Sequence, residues 1–290
     1  MSFVPFVVKK MNLYDAHAHL QDTELVPHYA RVFSDLAAVG VKRVVTNGSS
    51  EADWPAVAAL AAAHPVVLPS YGLHPWDAGN RSPAWQKNLL AHLDANPRAA
   101  IGEIGLDRWI IARAKPGDAR LTGLRRASIE EQTEVFLWQF NLAAERNLPS
   151  AIHCVDAHGL LHDTLRAAKR PARGFLLHSY GGSGEMVASF AKLGAYFSFN
   201  ANFLDARRAR LREVYAAIPA DRLLVETDAP SIRPPAAQEE FPLPATADGM
   251  YVNHPANLTA TYAALAGLRG VTVEALTAQV EKNFLRLFGR

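Results

Sequence analysis

Short apolar, β-branched runs alternate with longer helical patterns from near the first residue almost to the last, and this alternation constrains the chain most. Such a rhythm is the mark of parallel βαβ units, because each parallel strand needs a crossover to bring the chain back to the same edge. The strands are expected at Met11–Ala16, Val41–Asn47, Val66–Gly72, Ala99–Glu103, Ser150–His153, Gly174–His178, Ala195–Phe199 and Arg222–Thr227. Between them, stretches such as Ala52–Ala63, Ile129–Arg146, Gly184–Leu193 and Arg207–Ala217 carry apolar residues at helical spacing. A last helix is expected near Val273–Phe288, after Thr272, whose capping box lacks an acidic partner at Ala275. About eight units is the number that closes a (β/α)8 TIM barrel, and the 290 residues suit one such domain spanning 1–290. No internal repeat or shift of composition suggests a second one.

Composition removes several classes of function. Hydrophobic residues make up 49% and charged residues 20%, which excludes disorder as the main state. A formal net charge of +2 is too small for a protein that coats nucleic acid, so an anionic substrate would be recognised locally. The single cysteine, Cys154, forbids an intramolecular disulfide and points to a cytoplasmic, reduced chain. Met1–Lys10 places its lysines after its apolar stretch, the reverse of a signal peptide, and no apolar run approaches the roughly 20 residues that cross a bilayer.

Polar residues then stand where apolar strands end. In Asp15-Ala16-His17-Ala18-His19, residues two apart share a face of a strand, so His17 and His19 can grip one ion. Glu103 closes the apolar, glycine-rich run Ala99–Glu103, where an unpaired carboxylate would be costly. His153 and His178 end two further strands, and either alone reads more simply as a core histidine. Asp228 ends the eighth strand in Glu226-Thr227-Asp228-Ala229-Pro230; Glu226 competes with it from the same face, and the terminal position favours Asp228. A barrel brings all strand ends to one rim. Four histidines and two acids gathered there form a nitrogen-and-carboxylate set suited to divalent transition metals.

Six ligands exceed the needs of one tetrahedral ion with an open position but suit two ions sharing a carboxylate. The expected arrangement has His17, His19, Glu103 and Asp228 on one ion and Glu103, His153 and His178 on the other. Two such cations can clamp the attacking and leaving oxygens of a phosphoryl displacement, with a water made acidic beside them as nucleophile and Asp228 as a group able to take its proton. The histidines favour zinc, manganese, nickel or iron, while the carboxylates and a phosphate substrate also admit magnesium.

Two irregular stretches follow strands. Arg108–Arg126 carries Arg113, Lys115, Arg120 and Arg125 among Pro116, Gly117 and Gly123, and reads as a mobile basic loop. Ala229–Pro255 is stiffened by Pro230, Pro234, Pro235, Pro242 and Pro244.

Taken in order, Asp15-x-His17-x-His19, Gly72-Leu73-His74-Pro75, Ile101-Gly102-Glu103-Ile104-Gly105-Leu106-Asp107, Ile152-His153-Cys154, His178-Ser179, Glu226-Thr227-Asp228-Ala229-Pro230 and the closing Glu281–Gly289 stretch resemble the TatD-like hydrolases. The resemblance covers nearly the whole chain. It implies a metal-dependent deoxyribonuclease that removes nucleotides from DNA ends, with single-stranded DNA or a strand end as substrate and no obligate protein partner. It also implies that His74 sits near the scissile phosphate as a donor or acid. The chain departs from the family at Trp76, where many relatives have a second histidine, at Arg108, where an aromatic is usual, and at Val252, where an arginine precedes the Asn-x-Pro turn. Trp76 and Arg108 therefore stand as candidate substrate contacts, with Trp76 read either as stacking on a base or as packing beneath a loop. Two other readings remain open: an amidohydrolase acting on a small amide, ester or lactone, against which Glu103 in place of a bridging lysine weighs, and a barrel that keeps its metals but serves as a scaffold.

Overall fold

The computed structural model describes residues 11–115 and 117–289. The charge order of Met1–Lys10, and Pro116, lie outside the described residues. Eight strands run β1 (Leu13–Ala18), β2 (Val41–Gly48), β3 (Val67–Tyr71), β4 (Ala100–Asp107), β5 (Ser150–Val155), β6 (Phe175–Leu177), β7 (Ala195–Phe199) and β8 (Leu223–Val225). All seven consecutive pairs are parallel, in the order β1 to β8. The ring closes where Asp228 N donates to His17 O at 3.0 Å and His19 N to Ala229 O at 2.7 Å. This is the expected (β/α)8 barrel.

Around it lie α1 (Tyr29–Val39), α2 (Trp54–Ala63), α3 (Trp85–Ala95), the short α4 (Trp109–Ala112), α5 (Ile129–Arg146), α6 (His158–Ala167), α7 (Gly184–Lys192), α8 (Ala209–Ala217), α9 (Leu258–Arg269) and α10 (Val273–Phe288). Their ends follow local chemistry. Gly40 stops α1 because its φ of 91° is open to glycine, and its N–H turns back to the Leu36 and Ala37 carbonyls. Ser128 starts α5 by accepting from Glu131 N, and Thr272 starts α10 by accepting from Ala275 N. The hydroxyl cap therefore sets the start of α10 without an acidic partner. None of the described helices is long and apolar enough to cross a membrane.

Two expectations need correction. β4 does not end at Glu103 but runs on to Asp107, pairing Gly105 with His153 and Asp107 with Val155. Gly102 and Gly105 sit inside the strand, where an added Cβ would strike Ala151 and the His153 backbone of β5. The stretch Arg108–Arg126 is also less irregular than expected. It holds α4, a 3-10 turn at Ala119–Leu121, and a small cluster of Ile110, Ala114 and Leu121 packed with Trp76, Trp109 and Leu124.

Candidate metal centre

β1 delivers His17 and, just past its end, His19; β4 delivers Glu103, β5 delivers His153, and the turns after β6 and β8 deliver His178 and Asp228. Residues up to 211 positions apart in sequence thus meet at one rim, and they meet on Glu103. Its two oxygens face different groups. Oε2 lies 3.3 Å from both His17 Nε2 and His19 Nε2, which are 3.2 Å from each other, and Asp228 Oδ1 stands 3.8 and 3.6 Å from the same two nitrogens. Oε1 lies 3.0 Å from His153 Nδ1 and 3.0 Å from His178 Nε2, which are 3.3 Å apart. Donors bound to one ion at about 2.1 Å stand roughly 3.0–3.5 Å from one another, so both groups have the spacing of a coordination shell. His17 is completely buried and its Nδ1 has no hydrogen-bond partner, leaving its Nε2 as the nitrogen aimed at the other donors.

The outer nitrogens of three imidazoles face acceptors, and for His19 and His153 a hydrogen bond orients the ring. His19 Nδ1 is 2.8 Å from the Asn47 carbonyl and donates there, so Nε2 is the nitrogen that faces Glu103 and is available to a cation. His153 Nε2 is 3.3 Å from Asp107 Oδ2, which frees Nδ1 for the cleft. His178 Nδ1 faces Glu226 Oε1 at 3.5 Å, an ion-pair contact longer than a hydrogen bond. Glu226, fully buried, also accepts from Asn200 Nδ2 at 2.9 Å and from the Ser198 hydroxyl. Of the two carboxylates considered for the eighth strand, Asp228 therefore lies at the rim and Glu226 beneath it, against His178.

Electrostatics single out the same carboxylate. Burial works to raise Glu103, but the surrounding imidazoles of His178, His74 and His17 outweigh it and hold the group well below the usual carboxylate range. Burial works to lower His178, yet Glu103 and Glu226 push it well above an ordinary histidine. His17, stacked on His178 at 4.0 Å, is lowered by burial and then by its neighbour. A buried anion of this kind draws positive charge to one point, whether proton or divalent cation.

His74 lies on the loop after β3, its own N–H tied to Ser49 O at 2.8 Å and the preceding Leu73 clamped by Gln139 at both N–H (2.8 Å) and carbonyl (3.2 Å). Its Nδ1 accepts from Trp76 N at 3.2 Å, so the neutral ring carries its proton on Nε2, which points into the cleft 3.5 Å from Glu103 Oε1. Burial lowers His74, which favours that neutral form. His74, Trp76, Glu103, His153, His178 and Asp228 all line one cleft of ≈ 330 Å³ at the barrel mouth. Arg108 does not. It is exposed at the start of α4, with its backbone N–H on Val155 O.

Sequence reasoning weighed Glu226 only as a rival ligand to Asp228 and passed over the supporting roles. Asp107, Asn47, Glu226, Gln132 and Gln139 orient the rim without standing at it. Gln132 accepts from Asp107 N at 2.8 Å and donates to Asp107 O at 3.1 Å, so two buried glutamines of α5 clip the chain just after β3 and at the end of β4. The available signal was two amides, seven apart, on the apolar face of that helix.

A parallel barrel with imidazoles and carboxylates gathered on its C-terminal rim defines a metal-dependent hydrolase. A family model described as TatD related DNase matches residues 14–289, and the chain belongs to that family. It is 30% identical to the 3'-5' ssDNA/RNA exonuclease TatD of Klebsiella pneumoniae (strain 342), over 96% of this chain and 98% of that one. It is also 30% identical to the uncharacterized metal-dependent hydrolase YabD of Bacillus subtilis (strain 168), over 95% and 98%. Among solved structures, YJJV, a TatD homolog from Escherichia coli K12, shares the fold with a TM-score of 0.79 and 24% identity, over 96% of this chain and 98% of that chain.

Proposed function

We propose that the chain is a nuclease that hydrolyses phosphodiester bonds of single-stranded DNA or of a strand end, using two divalent cations. His17, His19, Glu103 and Asp228 would hold one and Glu103, His153 and His178 the other. The observation that carries this reading is the split of the Glu103 carboxylate, one oxygen toward each histidine pair. Bound cations would supply charge to neutralise the phosphate oxygens and to acidify water. The chain's own residues do the rest. Asp228, at the mouth and 13% exposed in its side chain, is placed to take a proton from water entering the cleft. His74 presents Nε2–H to the cleft and is placed to donate to the oxygen that leaves. The names of relatives, ssDNA/RNA exonuclease among them, support a nucleic-acid substrate.

The test is cleavage of a labelled single-stranded oligonucleotide by protein reconstituted in turn with zinc, manganese, nickel, iron and magnesium, beside a panel of small amides, esters and lactones. Oligonucleotide products that vanish in Glu103→Ala and Asp228→Asn are expected. Turnover of a small substrate alone, or product formation untouched by both substitutions, would overturn the proposal.

A further inference from the structure

Beside the cleft two neighbouring indoles share a guanidinium cover, a group that the reaction described above does not use. Trp76 is held by its Nε1, which donates to Asp107 Oδ2 at 2.6 Å, and the same oxygen faces His153. Its ring lies nearly parallel to that of Trp109, with centroids 5.9 Å apart and planes at 21°. Over both rings sits the Arg120 guanidinium, 4.7 Å from the Trp109 centroid and 5.8 Å from that of Trp76. Arg120 is held there by Asp118, through contacts of 2.9 and 2.7 Å, and is 58% exposed.

We propose that the Trp109 face, flanked by Trp76, is a stacking subsite for a nucleobase next to the phosphodiester in the cleft. The base takes the place now covered by the Arg120 guanidinium, and the freed Arg120 meets a backbone phosphate. This rests on the nuclease reading for the identity of the ligand. A guanidinium and a base are both flat and both bind an indole face, so the one marks the place of the other. An exposed Arg–Asp pair is weak and is readily exchanged for a phosphate. Contact is continuous from His153 through Asp107 and Trp76 to Trp109, so a strand whose phosphate sits at the rim passes this surface. Three other arginines of the segment are differently occupied: Arg113 faces Asp156 at 3.4 Å, Arg125 is paired with Glu131, and Arg126 bonds the Ala114 and Lys115 carbonyls. The small apolar cluster of Ile110, Ala114 and Leu121 fixes the segment on which Trp109 and Arg120 are mounted.

The test is binding of manganese-loaded protein to phosphorothioate-linked hexathymidylate, which resists hydrolysis, and to a set of the same hexamers each with one abasic residue. Trp109→Ala is expected to weaken the intact hexamer about 5- to 100-fold and Trp109→Phe much less. One abasic position should weaken the wild type by a similar factor, and at that position Trp109→Ala should add less than twofold. Losses that multiply at every position, or a Trp109→Ala variant that binds the intact hexamer like the wild type, would overturn the subsite even if the enzyme cleaves DNA. A wild type that does not bind the hexamer would overturn it as well. If the binding pattern holds while the phosphodiester hexamer is never cut, the subsite stands and the nuclease reading falls.

Discussion

The carboxylate of Asp15 reaches across the closing seam of the barrel to Thr227, accepting from its backbone N–H at 3.0 Å and its hydroxyl at 2.5 Å, and also from His17 N at 3.2 Å. It ties β1 to the end of β8 directly beneath His17 and Asp228, so one buried side chain sets the distance between two proposed ligands. Asp15→Ala leaves three buried donors without their acceptor, each costing about 1–3 kcal/mol. A loss of about 3 kcal/mol or more in denaturant unfolding is expected, with weaker metal binding. Unchanged stability and affinity would remove Asp15 from this role.

Glu226 accepts hydrogen bonds from the Ser198 hydroxyl and Asn200 Nδ2 and faces His178 Nδ1 in a longer ion-pair contact of 3.5 Å. Glu226→Gln keeps the shape but replaces one acceptor oxygen by a donor, so His178 loses its anchor first because its contact is the longest. Metal affinity is expected to fall about 10- to 100-fold with the fold intact, as is usual when the partner of a ligating histidine is removed. Titration calorimetry with manganese decides it, and an unchanged affinity would show that packing alone orients His178.

Much of this architecture was legible in the chain. The eight strands announced themselves because each is an apolar run bracketed by helical periodicity, and the rim residues because each breaks such a run with a ligating side chain. Glu103 was found for the same reason, although β4 continues past it. Legibility stopped where a role depends on a neighbour supplied by the fold. Asp107 and Glu226 resemble further rim carboxylates until Gln132 and Ser198 are seen beside them. Gln139 and Gln132 are ordinary helix residues until the loop and strand end they clip are known. The small core of the Arg108–Arg126 segment was hidden because its aromatic partner Trp76 comes from an earlier loop.

Gly105 has a φ of 151°, and a Cβ added there would fall 2.0 Å from the His153 carbonyl oxygen, backbone that cannot yield as a side chain would. Gly105→Ala is therefore expected to part β4 from β5 at the level of Glu103 and His153. Destabilisation of about 3 kcal/mol or more and loss of turnover follow. Chemical denaturation and an activity assay check it; a variant with wild-type stability and rate would mean that the strands tolerate the separation.

His254 is wholly buried, its Nδ1 accepting from Ala256 N at 3.0 Å while Nε2 lies 3.3 Å from Asp35. Burial pulls it down to about 4, only partly offset by Asp35. The unfolded chain thus takes up this proton near pH 6.5 and the folded chain only near 4. Its stabilising contribution is present above pH 6.5 and is lost as pH falls toward 4, by up to about 3 kcal/mol. His254→Asn keeps a capping acceptor and cannot titrate. The difference in unfolding free energy between wild type and variant should shift against the wild type across that window; a pH-independent difference would contradict the assignment.

In the proposed centre one carboxylate, Glu103, joins two histidine pairs around two cations. Elemental analysis of protein dialysed after metal loading tests it most directly, for the wild type, Glu103→Ala, His19→Ala and His153→Ala. Two ions per wild-type chain, about one in each histidine variant, and fewer than one in Glu103→Ala are expected. A wild type that retains a single ion, or a Glu103→Ala protein that still retains two, would contradict it.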